Sequence, residues 1–133
     1  MRQSDRGNDS VFSMAAVIAF CSLLWTADVF AARDVSFNLD VLPILQNHCV
    51  KCHNPSGPGY QASGLDLRSY DSLMQGTKHG KIIVPENPLT SNLMVLIEGR
   101  ADPSIRMPHN EQPLIKQQIE IIRDWIKQGA RDN

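Results

Sequence analysis

The sequence predicts an all-α domain of about four short helices joined by long loops. Three observations carry that reading. Val41, Ile44, Leu45 and His48 recur at helical spacing, as do Leu93, Met94, Leu96 and Ile97, and again Ile115, Ile119, Ile122 and Ile126. The stretches 54–63 and 100–113 between them are rich in Pro, Gly and polar residues, which mark loops. Apart from the short apolar run Ile82-Ile83-Val84, no segment reads convincingly as a strand.

Each element has its own signals. Asp40 is the expected N-cap of the first helix, with Pro43 in the first turn, where a missing N–H costs little. That helix is expected to run into Cys49. Ser69 is placed to cap a short helix holding Tyr70, Leu73 and Met74, with Gly76 as its stop. Residues 78–88 read as irregular. Thr90 or Ser91 caps a third helix that ends at Gly99, with Leu93, Met94, Leu96 and Ile97 as its buried stripe. In the last helix the isoleucines step by four, three and four, Trp125 lies beside them and Gly129 is the C-cap candidate. Long loops in so small an all-α domain suggest that something besides helix packing organises them.

Length and composition set the class. The chain has 133 residues, 42% hydrophobic and 20% charged, which suits one ordinary globular domain plus a targeting segment. With 13 basic and 14 acidic residues, it lacks the basic excess of a dedicated nucleic-acid binder. Three cysteines are too few for a disulfide scaffold.

Residues 1–31 read as a secretory signal peptide, leaving 32–133 as the mature domain. Val11–Ala27 holds 17 residues without a charge, Arg2 and Arg6 precede it, and Val29-Phe30-Ala31 suits a cleavage site. Asp5, Asp9 and Asp28 weaken the pattern. The alternative is an uncleaved membrane anchor, at the lower edge of the length that spans a bilayer. Cys21 follows the bulky Phe20, a poor context for lipidation, and reads as a small apolar residue of the leader. Either way the expected location is periplasmic or otherwise exported. Without the leader the chain carries 11 charges of each sign, so its charge names no partner.

Cys49-Val50-Lys51-Cys52-His53 carries the chemistry. It is C-x-x-C-H, the attachment motif of c-type haem. On a helical turn both thiols fall on one side, where they can form thioethers to the two vinyl groups along one porphyrin edge. His53, four residues after Cys49, lies on the same face and can ligate the iron. A zinc half-site needs two more ligands, and His79 and His109 lack the spacing of a paired site. A redox-active dithiol needs a βαβ context that is absent.

The sixth iron position is argued separately. Met74 and Met94 sit among apolar residues on expected helices and read as core. Met107 stands alone in the polar loop Ile105-Arg106-Met107-Pro108-His109-Asn110, and the proline restricts its backbone. Met107 is therefore the candidate axial ligand. His109, His79, His48 and an open site are the alternatives.

With these residues in place, the chain resembles a small class I-like c-type cytochrome and is most similar to the Planctomycete-type cytochrome c domain. The carrying residues are Val41-Leu42-Pro43-Ile44-Leu45, Cys49–His53, Gly64-Leu65-Asp66-Leu67-Arg68-Ser69, Gly76, Gly80, Pro85, Pro88, Ser91-Asn92-Leu93, Met107-Pro108 and Trp125-Ile126-Lys127-Gln128-Gly129-Ala130. They span residues 37–130. The sequence departs from the family at Glu86, where glycine is usual, and at His109, where a second proline is usual. The resemblance implies a cytochrome c fold, one covalent haem c and electron transfer, with His53 and Met107 as the iron ligands.

The expected function is that of an exported monohaem one-electron carrier, not an enzyme, serving redox partner proteins. Leu45, Leu65, Leu67, Leu96, Ile97, Ile119 and Trp125 are candidate haem-pocket walls, and Arg68, Lys81, Arg100 and Arg106 candidate propionate contacts or solvated surface. An apolar pocket and a neutral thioether favour reduced iron and a potential toward the high end for haem. The alternatives are a haem-based redox or gas sensor, or the haem domain of a larger oxidoreductase complex. A single C-x-x-C-H and no spare substrate domain argue against a dihaem peroxidase-like enzyme.

Overall fold

The computed structural model describes residues 33–133. The expected leader, residues 1–31, its cleavage site and Cys21 lie outside the described residues. In chain order there follow a π turn, Phe37–Val41, then α1 Leu42–His48, α2 Pro58–Ser63, α3 Tyr70–Gln75, α4 Asn92–Ile97, a 3-10 turn Pro103–Ile105, and α5 Lys116–Lys127. The described residues contain helices and no named strand; one isolated bridge joins Thr77 and Gly80. None of these helices is long and apolar enough to cross a membrane.

The chain becomes helical earlier than expected. Ser36, not Asp40, caps the first helical stretch: its hydroxyl accepts the Leu39 N–H at 3.2 Å. Asp40 sits inside the first turn and returns the favour, accepting the Ser36 N–H at 2.9 Å. This reciprocal pairing satisfies two backbone donors that the helix itself leaves unpaired. A second Asp40 oxygen accepts from Arg33, and these bonds hold the carboxyl below its usual value.

A second difference falls in 54–63, which reads as loop throughout. Its second half forms α2, entered at Pro58 and closed by Gly64 at φ 76°. Proline in the first turn and a left-handed glycine after the last are the normal punctuation of a helix. The Pro-Gly density that suggested a loop marks the two ends of a helix only six residues long.

The other elements follow their signals. Ser69 caps α3 and Gly76 stops it. Ser91 precedes α4, but its hydroxyl does not cap the helix. Fully buried, it accepts the Val84 N–H at 2.9 Å and donates to the Asn87 carbonyl at 2.9 Å, which fixes the loop before α4. The expected α4 stripe is buried at Leu93, Met94 and Ile97, whereas Leu96 is half-buried. In α5, Ile122 and Ile126 are buried and Ile119 half-buried, but Ile115 is 62% exposed. Leu114, 5% exposed, takes the inward position instead, because the helix starts only at Lys116.

The core closes around an aromatic cluster. Phe37 packs against Tyr70 and Trp125 with ring centroids 5.4 and 5.5 Å apart. Gly129 and Ala130, at φ 100° and 50°, turn the chain after α5. The turned backbone then accepts the Tyr70 hydroxyl at Ala130 and the Trp125 indole N–H at Arg131, both at 2.9 Å. Asn133 reaches the entry of the first helical stretch, where its side-chain oxygen accepts the Phe37 N–H at 2.8 Å. Glu98, at the end of α4, accepts from Arg123 of α5 at 2.7 Å and also pairs with Arg100. Together these contacts bring the π turn, α3, α4 and α5 around one apolar core, which Ile44 and Leu45 of α1 also enter.

Candidate haem-attachment site

α1 does not run into Cys49 as expected: it ends at His48 with Cys49 as its C-cap, and the C-x-x-C-H residues form a separate hydrogen-bonded turn directly after it. The Cys49 and Val50 N–H groups donate to the Leu45 carbonyl, and the His53 N–H donates to the Cys49 carbonyl at 2.9 Å. Cys49, Cys52 and His53 are thus carried on one hydrogen-bonded turn. Both cysteines are free thiols, each half-buried.

The loop after the motif wraps back over it. The Cys52 carbonyl accepts the Tyr60 N–H at 3.1 Å, and the His53 carbonyl accepts the Leu67 N–H at 2.9 Å. Two glycines make this approach possible. A Cβ on Gly57 would lie 2.3 Å from the Cys52 carbonyl oxygen, and one on Gly59 would lie 2.8 Å from the His53 ring. Both glycines lie in the segment that the sequence marks as loop, where no periodicity distinguishes them. The signal that marks them is the density of glycine immediately after a motif whose own backbone must be approached closely.

Electrostatics suit the chemistry. Burial lowers the His53 pKa, against the opposing effect of the Leu65 backbone. Burial thus favours the neutral imidazole, the form a metal ligand requires. Its Nδ1 is buried and has no hydrogen-bond partner. An orphaned buried nitrogen marks a side chain whose partners the protein does not fully supply. Burial, with the neighbouring Cys52 adding to it, pushes the Cys49 thiol up to about 11. A redox-active C-x-x-C pair shows the opposite shift. Among the described residues no three His, Cys, Asp or Glu side chains converge as a metal-binding group, so the cysteine pair has no tetrahedral zinc set around it. Two unpaired thiols and a buried imidazole with an unpartnered nitrogen on one turn fit haem c.

The remaining candidates fall in different settings. Met107 is half-buried against the core, and its N–H donates to the Leu96 carbonyl at 3.3 Å. Met74 is also half-buried, and Met94 is wholly enclosed. His79 and His109 are exposed, and His48 bonds to Gln118. Of the wall candidates, Leu45, Leu65, Leu67, Ile97 and Trp125 are buried, and Leu96 and Ile119 half-buried. Arg68 is engaged by Asp66 and Arg100 by Glu98, while Lys81 and Arg106 have no carboxylate partner among the described residues.

Two cysteines and a histidine held together as a C-x-x-C-H turn in a helical domain are the donor set that haem attachment needs. Comparison with known families is more specific: residues 49–111 match the family described as Planctomycete cytochrome C. The resemblance drawn from the motifs therefore stands over a stretch running from the first cysteine to just past Met107. A cytochrome c domain implies haem c and, at that level, haem-based electron transfer. Neither a curated protein nor a solved structure matches the chain.

Proposed function

We propose that this chain is an exported monohaem c-type cytochrome that passes single electrons between partner proteins, with His53 and Met107 as iron ligands. The observation that carries the reading is the single turn presenting Cys49, Cys52 and His53 at the head of the family match. Haem c, when bound, supplies a one-electron iron couple. The chain's own residues bind and tune it. Cys49 and Cys52 would hold it covalently through their sulfurs, and His53, its ring approached closely by Gly59, would hold the iron. Buried Leu45, Leu65, Leu67 and Ile97 keep water from the site, and the neutral thioether of Met107 adds no charge. Both effects favour reduced iron.

The domain is a carrier and not an enzyme, and export rests on the Val11–Ala27 leader. Its partners are redox proteins, whose sign the balanced charge leaves unspecified. The deciding experiment is an optical and EPR spectrum of the protein expressed in a host that attaches haem outside its cytoplasm. The expected result is one haem that stays with the polypeptide after acid–acetone extraction, low-spin and six-coordinate, with a sulfur-to-iron charge-transfer band when oxidised. The reduced protein should bind carbon monoxide slowly or not at all. A colourless protein overturns the haem reading, a bis-histidine spectrum overturns Met107, and rapid carbon monoxide binding favours a sensor.

A further inference from the structure

The loop that follows Met107 is held in an unusual way. Among the described residues, positions 108–114 make no hydrogen bond, backbone or side chain, to the rest of the chain. On one side the loop begins where the Met107 N–H meets the Leu96 carbonyl. On the other it ends at α5, where the Gln118 side chain is locked: Oε1 accepts the Ile115 N–H at 3.2 Å, so Nε2 donates to His48 at 3.1 Å. Between these anchors there is one polar tie, the ion pair between Glu111 and Lys51. Lys51 is the second of the two unspecified residues inside C-x-x-C-H, immediately before Cys52.

We propose that Lys51 and Glu111 are positioning residues that hold the Met107 loop closed over the attachment turn and so limit access to the sixth iron position. The inference rests on the Met107 ligation proposed above. A segment with no hydrogen bond to the rest of the chain opens locally at low cost between its packed ends, here half-buried Met107 and buried Leu114. An exposed ion pair is weak on its own, but here no other polar contact shares its task, so its effect falls on the open–closed balance of the loop. Neither residue touches the iron. The pair acts through Met107, and because both side chains are partly exposed the clasp is sensitive to salt.

The test uses the haem-loaded, full-length protein. Glu111→Gln and Lys51→Met should keep the sulfur-to-iron band at equilibrium, yet speed carbon monoxide binding to the reduced protein by about three- to fivefold, the scale of one exposed ion pair. Raising ionic strength should speed the wild type toward the variants while leaving the variants unchanged. The exchanged pair Lys51→Glu with Glu111→Lys should restore slow binding. Amide exchange across 107–114 should rise in the single variants and fall back in the exchanged one. Glu120→Gln, which removes the Lys116–Glu120 pair on α5, serves as the control and should change none of these. A wild type that shows the sulfur band, but whose Glu111→Gln variant binds carbon monoxide at the wild-type rate, overturns this inference alone. A wild type without the band overturns the Met107 reading and this inference with it.

Discussion

At the scale of single residues, methionines of one chemistry have different settings. Met94 is wholly enclosed within α4, whereas Met107 lies half-buried in a loop. Met94→Ala should therefore cost about 2–5 kcal/mol of stability in thermal or urea unfolding, the range for deleting a buried large side chain, and should leave the iron spectrum unchanged. Met107→Ala should cost less stability, abolish the sulfur band and lower the potential; a band that survives would assign the ligand to another methionine, with half-buried Met74 the first to test. Gly57 makes a different demand. Its neighbour is the Cys52 carbonyl, a backbone atom that cannot swing aside. Gly57→Ala should displace the loop from the attachment turn and reduce the yield of haem-loaded protein, read as haem absorbance per polypeptide. An unchanged yield would mean that the wrapped loop contributes nothing to attachment.

At the scale of elements, the join between α4 and α5 depends on one carboxylate. Burial alone would push the Glu98 carboxyl up, but hydrogen bonds from Arg123 and Arg100 outweigh it and hold the group below its ordinary value of 4.5. A depressed carboxylate pKa contributes stability that is complete above the ordinary value and is lost as pH falls through the folded-state value. The melting temperature of the wild type should therefore fall more steeply on acidification than that of Glu98→Gln, with the two converging in acid. Parallel curves across that range would show that the clasp carries no pH-dependent stability. The short helices α2 and α3, each of six residues, are too short to persist in isolation. Their caps select the ends, and the attachment turn and the core supply the reason to fold.

Across the whole molecule, the aromatic cluster is the centre on which the described residues converge. Trp125 is buried, packs on Phe37 and Tyr70, and donates its indole N–H to the turned backbone at Arg131. Trp125→Ala removes that packing and leaves the Arg131 carbonyl without its donor. It should cost about 3–5 kcal/mol, measured by urea unfolding of the haem-loaded protein. Trp125→Phe should recover most of the packing but not the hydrogen bond. A loss below about 1 kcal/mol for the alanine variant would remove the cluster from its central place, since losses that small are typical of surface positions.

Local patterns were enough to read the helical class, the α3 caps, the α4 core and the C-x-x-C-H turn, because each depends on residues within a few positions of one another. A thiol, a second thiol and an imidazole three and four positions on share a face of any helical turn. The sequence could not show that Ser36 rather than Asp40 opens the helical stretch, since both are good capping residues and the choice depends on which hydroxyl or carboxylate meets which N–H. Nor could it show that 58–63 is helical, because six residues between Pro and Gly have no period to measure, or that Leu114 turns inward in place of Ile115. The approach of Gly57 and Gly59 to the attachment turn, the Lys51–Glu111 tie and the seating of Trp125 all join residues distant in the chain or separated by a turn. Periodicity reports only which side of an element is apolar, whereas these contacts were decided by how the elements pack.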